Sequence, residues 1–193
     1  MNILLIGNGG HGKVVEEVSK DCGYEKIAFL DDNSVEAIGK IEELEKFVDE
    51  FEYAFVAIGN NKLCGELMHR LEEAGYKVPV LIHSSAYVSS MAKIGKGTVI
   101  EPKAIINANT VIERGCIISV GSIIDHDVKI GECCHINSGA IVKAGAEVNS
   151  YIKVEAGKVI IGKQQLNLNI SDGDSKRIYG IRSGSFYDEE EEQ

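Results

Sequence analysis

From Val88 to Ile160 every sixth residue is Val or Ile: Val88, Ile94, Ile100, Ile106, Ile112, Ile118, Ile124, Ile130, Ile136, Val142, Val148, Val154 and Ile160. An α-helix repeats its buried face every 3.6 residues and a strand every two, so neither yields this period. A six-residue repeat belongs to a parallel β-helix, in which each flat side takes one hexad. The fourth residue after each aliphatic position is usually small: Ala92, Thr98, Ala104, Thr110, Cys116, Ser122, Cys134, Ala140 and Ala146. Three hexads make one triangular coil, so the run predicts about four coils.

The first eighty residues follow another rhythm. Apolar runs at Asn2–Ile6, Lys26–Leu30, Tyr53–Ile58 and Val78–Ile82 read as strands. Helical stretches are predicted from Lys13 to about Cys22, near Ile41–Asp49, and over Lys62–Gly75. Strands alternating with helices predict a parallel, Rossmann-like sheet. The division that follows is a nucleotide-binding domain over residues 1–83, a β-helix over 84–166 and a C-terminal tail over 167–193.

Gly7, Gly9 and Gly12, within Gly7-Asn8-Gly9-Gly10-His11-Gly12, satisfy G-x-G-x-x-G after a strand and before a helix. Glycines let the backbone turn tightly and approach a phosphate, and a helix N-terminus attracts the anion. Asp31-Asp32 follows at the end of the second strand. A dinucleotide fold needs two mononucleotide halves, and about eighty residues supply one, so a single nucleotide suits the domain better than NAD.

The net charge of −10 argues against nucleic-acid binding. With no apolar run of eighteen residues and no charged-then-apolar leader, the chain reads as soluble and cytoplasmic, without membrane insertion. The five cysteines, Cys22, Cys64, Cys116, Cys133 and Cys134, show no metal-ligand spacing and fit reduced thiols. Cys116 and Cys134 occupy the small-residue phase of the hexads and should pack. Cys133 is expected to be exposed, without a pattern that would activate its thiolate.

The motifs G-N-G-G-H-G, F-L-D-D, A-I-G-N-N and L-I-H-S-S-A, followed by hexad coils, resemble the hexapeptide-repeat sugar O/N-acetyltransferases. These include the UDP-4-amino-sugar N-acetyltransferases of bacillosamine synthesis and the related sialic-acid O-acetyltransferases. The resemblance implies a left-handed β-helix, a homotrimer, a nucleotide sugar on the N-terminal domain and acetyl-CoA in grooves between adjacent β-helices. It implies His126 as general base, with Asp127 beside it; other members carry Glu there, one methylene longer. His135 matches a histidine beside the coenzyme thioester. His11 matches the glycine-loop histidine near the sugar diphosphate and reacting amine. Gly7, Asn8, Gly9, Gly10, Gly12, Asp31, Asp32, Gly59, Asn60 and Asn61 match positions around the nucleotide sugar. An oxyanion contact falls to the backbone N–H of Ala144 or Gly145, which the hexad register and the local A-G motif assign differently.

The reaction expected is acetyl transfer from acetyl-CoA to the 4-amino group of a UDP-linked amino-dideoxy sugar, without a metal. The alternatives are an O-acetyltransferase on a sialic or other surface sugar, and a non-catalytic nucleotide-sugar-binding trimer. His126 and His135 fall outside the inward phase and are nine residues apart, one and a half sides of a coil. Within one subunit they should not share a face, so a site using both needs two subunits. His69 and His83 read as ordinary surface or packing residues. The segment after residue 166 departs from the family, lacking its further I-G hexads and closing G-N-P-A.

Overall fold

The computed structural model describes residues 1–164. The predicted tail and the departure from the family within it lie outside the described residues. Three strands, β1 (Asn2–Ile6), β2 (Lys26–Leu30) and β3 (Tyr53–Val56), form a parallel sheet in the order β2-β1-β3. Its strands are short apolar runs, and residues 3–6 of the central strand are fully buried, as expected of a parallel sheet covered on both faces. Helices α1 (Gly10–Asp21) and α2 (Asn61–Glu73) accompany it, and the predicted helix near Ile41 is a 3-10 helix over Ile41–Phe47.

From Leu81 onward the chain winds into a parallel β-helix of three five-stranded faces. The first stacks Leu81–Ile82, Val99–Ile100, Ile117–Ile118, His135–Ile136 and Lys153–Val154. The second stacks Tyr87–Val88, Ile105–Ile106, Ile123–Ile124, Ile141–Val142 and Val159–Ile160. The third runs from Lys93–Ile94 through Val111–Ile112, Lys129–Ile130 and Glu147–Val148 to Lys163–Gln164. Partners lie one coil apart, as Ile118 with Ile100 and Ile136. The periodic aliphatic residues from Ile100 to Val154 are buried in one core with Ala104, Cys116, Cys134, Ala140 and Ala146. Buried hydroxyls in the small-residue phase are satisfied: Thr98 and Thr110 donate to the carbonyls of Glu113 and Asp125, and Ser122 to that of Ser119. Paired hydroxyls remove the cost of burying a polar group in an aliphatic stack.

One strand differs from expectation. Val78–Ile82 was to extend the N-terminal sheet, but Leu81–Ile82 instead opens the first β-helix face beside Val99–Ile100. Its apolar run satisfies either sheet, and only packing decides between them. Outward residues Leu81, Val99 and Ile117 of that face join Ile3, Leu5, Val15, Val18 and Phe55 in one buried cluster. This apolar seam fixes the N-terminal domain on the first face. The next outward residue down the same ladder is His135.

Candidate active site

The glycine loop leaves β1 at its C-terminal end. Gly7 has φ +107, and a Cβ there would lie 2.7 Å from the Ile58 side chain. A Cβ on Gly12 would lie 2.5 Å from the Gly7 carbonyl oxygen. These two glycines serve close packing. Gly9 differs: a Cβ there meets nothing within 4 Å. It caps α1 without any side-chain hydrogen bond, and the first turn holds no acidic residue. No side chain caps the first turn of the helix, and a helix N-terminus left so suits an anion.

Asp31 organises this loop. Its carboxylate accepts the N–H groups of Asn8, Asn33 and Ser34, each at 2.8 Å. Those bonds, led by the one from Asn8, hold its pKa below the usual carboxylate value. Asp32 accepts the Ile41 N–H at 3.1 Å. Asn60 caps α2 by accepting from Leu63 at 3.0 Å; Gly59 borders open space, and Asn61 begins the helix. The three loops thus converge at the carboxyl ends of β1, β2 and β3, where ligands of open parallel sheets lie. Asn8 donates to Ser34 Oγ at 2.7 Å, while its own Oδ1 is buried without a partner.

His126 stands at the corner following Ile123–Ile124, with its side chain 58% exposed. Its Nδ1 lies 2.7 Å from Asp127 Oδ2. Two consecutive residues can meet this way because Asp127 takes the left-handed conformation, φ +59, which Asp tolerates better than most residues. Asp127 Oδ1 accepts from Asn109 Nδ2 at 3.1 Å, one coil earlier. Asp125 accepts both the His126 N–H, at 2.8 Å, and Asn107 Nδ2, at 3.3 Å. Asp127 and then Asp125 raise the His126 pKa above its ordinary value. One coil later Gly145 donates its N–H to the His126 carbonyl at 3.1 Å. That amide is committed, whereas Ala144 makes no such backbone bond among the described residues.

His135 is placed elsewhere. It projects from the first face, its Nε2 3.0 Å from Ser119 Oγ and its ring centroid 6.5 Å from that of His11. His11 Nδ1 lies 3.7 Å from Glu101 Oε1. Burial pushes the pKa of both histidines down to about 4, so both are neutral at pH 7. The structure therefore brings His135 together with the glycine loop, and holds His126 apart from both on another corner. Their separation within one chain is the one expected. Glu101, Ser119, Asn107 and Asn109 escaped sequence reading. Asn109 had a legible signal, because it precedes Asp127 by one 18-residue coil.

Cys133 corrects an expectation: it is 1% exposed, packed with Cys64 and Met68 rather than open to solvent. Cys116 and Cys134 lie in the β-helix core as expected. An acyl-cysteine route thus has no accessible thiol at Cys133. His69 pairs with Glu73, and His83 with the N–H of Ser85, both at the surface.

The outward residues of the second face, Tyr87, Ile105, Ile123, Ile141 and Val159, are all apolar, with Tyr87 58% and Val159 52% exposed. The third face carries an open groove lined by Val111, Lys129, Glu147 and Asn149. No described helix is long and apolar enough to cross a membrane.

Residues 2–71 match the PglD N-terminal domain family. The chain is 33% identical to a UDP-N-acetylbacillosamine N-acetyltransferase of Bacillus subtilis (strain 168), over 51% of this chain, and spans half the length of that relative. The acetyltransferase domain of PglB from Neisseria gonorrhoeae FA1090, solved with acetyl coenzyme A, superposes with a TM-score of 0.72 at 33% identity. That alignment covers 84% of this chain and 91% of the other. PerB from Caulobacter crescentus, solved with CoA and GDP-perosamine, gives 0.73 at 28% identity, covering 84% and 90%.

Proposed function

This chain belongs to the hexapeptide-repeat sugar O/N-acetyltransferase family, and we propose that it transfers an acetyl group from acetyl-CoA to an amine of a nucleotide-linked amino sugar. The observation that carries this reading is the exposed His126, braced by Asp127 and Asn109, beside the uncommitted Ala144 amide. The finer proposal is a UDP-linked amino-dideoxy sugar acetylated at its 4-amino group. The glycine loop, Asp31, Asp32 and Gly59–Asn61 would hold the nucleotide.

In the proposed step the neutral Nε2 of His126 accepts a proton from the attacking amine as nitrogen bonds to the thioester carbonyl. Asp127 keeps the other imidazole proton on Nδ1 and stabilises the imidazolium. The Ala144 N–H, rather than that of Gly145, receives the developing oxyanion. Collapse expels the coenzyme thiolate, which takes up the proton released by His126. Product analysis by mass spectrometry, with acetyl-CoA and amino or hydroxy forms of a UDP-sugar, tests the reading. Acetylation of neither sugar would sink it.

The apolar second face supports a trimer, since an exposed aliphatic ladder of this extent calls for a partner. His126 borders that face and would then meet the first face of a neighbouring copy. Light scattering should report about three times 20.9 kDa. Mixed His126→Ala and His135→Ala subunits should regain part of the lost activity if the two histidines act across one interface. A monomeric active enzyme would exclude the shared site.

The space around Gly9 gives a separate prediction. Gly9→Val should leave folding unchanged, because a Cβ there meets nothing within 4 Å, yet abolish UDP binding in calorimetry. Gly12→Val should instead destabilise the domain, because its Cβ collides with the Gly7 carbonyl. Undiminished UDP binding by Gly9→Val would remove the loop from the nucleotide site.

A further inference from the structure

Glu101 follows Ile100 on the first β-helix face, where the hexad pattern turns a residue outward. The N-terminal domain covers it, leaving its side chain 8% exposed. One oxygen, Oε2, accepts the Val120 N–H at 2.9 Å. The other faces His11 Nδ1 at 3.7 Å. Among the described residues no lysine or arginine forms an ion pair with this carboxylate. His11 does not neutralise it, because burial and the neighbouring His135 keep that imidazole uncharged at pH 7. A buried carboxylate lacking a cation is costly, and proteins retain one where something else completes it.

The surrounding atoms point the same way. The 3.7 Å separation is too long for a hydrogen bond, but the carboxylate favours the His11 tautomer with its proton on the facing Nδ1, which leaves Nε2 as a lone-pair acceptor. His11 Nε2 is buried without a hydrogen-bond partner, and so is His135 Nδ1. The Asn8 Oδ1 acceptor on the same loop is also buried and unpartnered. Buried polar atoms are nearly always paired, so these orphans describe a place built for a polar ligand, to which Asn8 Oδ1 and His11 Nε2 offer acceptors.

We propose that Glu101 and His11 form a dyad that selects an amino group over a hydroxyl in the acceptor sugar. Glu101 acts as a positioning residue. It favours the Nδ1–H tautomer of His11 and sets a negative charge behind Nε2, so the acceptor is held more strongly there as an ammonium than as a neutral hydroxyl, and the ammonium gives one proton to solvent before the neutral amine attacks. The inference rests on the acetyltransferase reading and deepens it, because the same fold could serve either acceptor, and this dyad assigns the chain to amines.

Calorimetric titration at pH 7 of a UDP-linked 4-amino-4,6-dideoxyhexose and its 4-hydroxy counterpart tests the proposal. The wild type should prefer the amine by about 10- to 100-fold, the range expected when a desolvated charge meets its partner. Glu101→Gln keeps the shape and the acceptor for Val120, and should bring the two sugars to nearly equal affinity while UDP alone binds as before. Glu101→Asp, which keeps the charge but withdraws it, should restore part of the preference. Nitrogen NMR of His11 should show the Nδ1–H tautomer in the wild type and a mixture in Glu101→Gln, a change that a merely structural role would not produce. A full amine preference in folded Glu101→Gln, or none in the wild type, would overturn the dyad and leave the acetyltransferase reading standing. Binding of neither sugar, with UDP also failing, would overturn both.

Discussion

Ile118→Asp should leave no cooperatively folded protein. Ile118 is fully buried, stacked between Ile100 and Ile136, and surrounded by the aliphatic series. Truncating such a side chain alone costs about 2–5 kcal/mol. A carboxylate adds the burial of a charge without a cation, since the cluster around it is Ile, Val, Ala and Cys and the buried Thr98, Thr110 and Ser122 hydroxyls already donate to backbone carbonyls. A domain with about 5–15 kcal/mol of total stability does not survive that sum. The control is Ile105→Asp, one residue before inward-facing Ile106 and itself 36% exposed on the second face. It should melt cooperatively but fail to assemble, because its charge falls on the face assigned to neighbouring copies. Thermal melts followed by circular dichroism, with light scattering for mass, check both. A cooperatively melting Ile118→Asp protein of native mass would refute the inward assignment of the whole series.

The β-helix was legible because its signal is local and repeated. Each coil must place a branched aliphatic residue inward every six positions, and one hexad suffices to read the rule. The same period explains Asn109 under Asp127, and Gly145 above it, at intervals of one coil. Leu81–Ile82 was not legible, since an apolar strand carries no label for the sheet it joins. Glu101 was hidden for a related reason. Its position in the repeat faces outward, and only a second domain docked through Leu81, Val99 and Ile117 turns that exposed place into a buried one. Cys133 is a third case: it sits at a coil corner, where the pattern predicts exposure, and α2 covers it through Cys64 and Met68. The histidines were named from motif resemblance, but the pairing of His135 with His11 arises from that same docking.

His126→Ala should lower turnover by about two to four powers of ten while leaving the binding of both substrates nearly unchanged. The loss falls on the transition state, where the imidazole would accept the proton of the attacking amine. Asp127→Asn should cost less, since the base remains and only its orientation and the stabilisation of its charged form suffer. The pH profile supplies a second measurement. A general base must be neutral to act, so turnover should rise with pH through the His126 ionisation. The bond to Asp127 raises that ionisation above the ordinary 6.5 of histidine. The midpoint should therefore lie above 6.5 in the wild type and fall toward it in Asp127→Asn. The sign follows from the charge: removing an anion that favours imidazolium makes the proton easier to lose. Asn109→Ala, which frees one oxygen of Asp127, should leave a wild-type rate at high pH with at most a small displacement of the midpoint. Near-normal turnover in His126→Ala, or a profile that moves upward in Asp127→Asn, would take the base away from this corner.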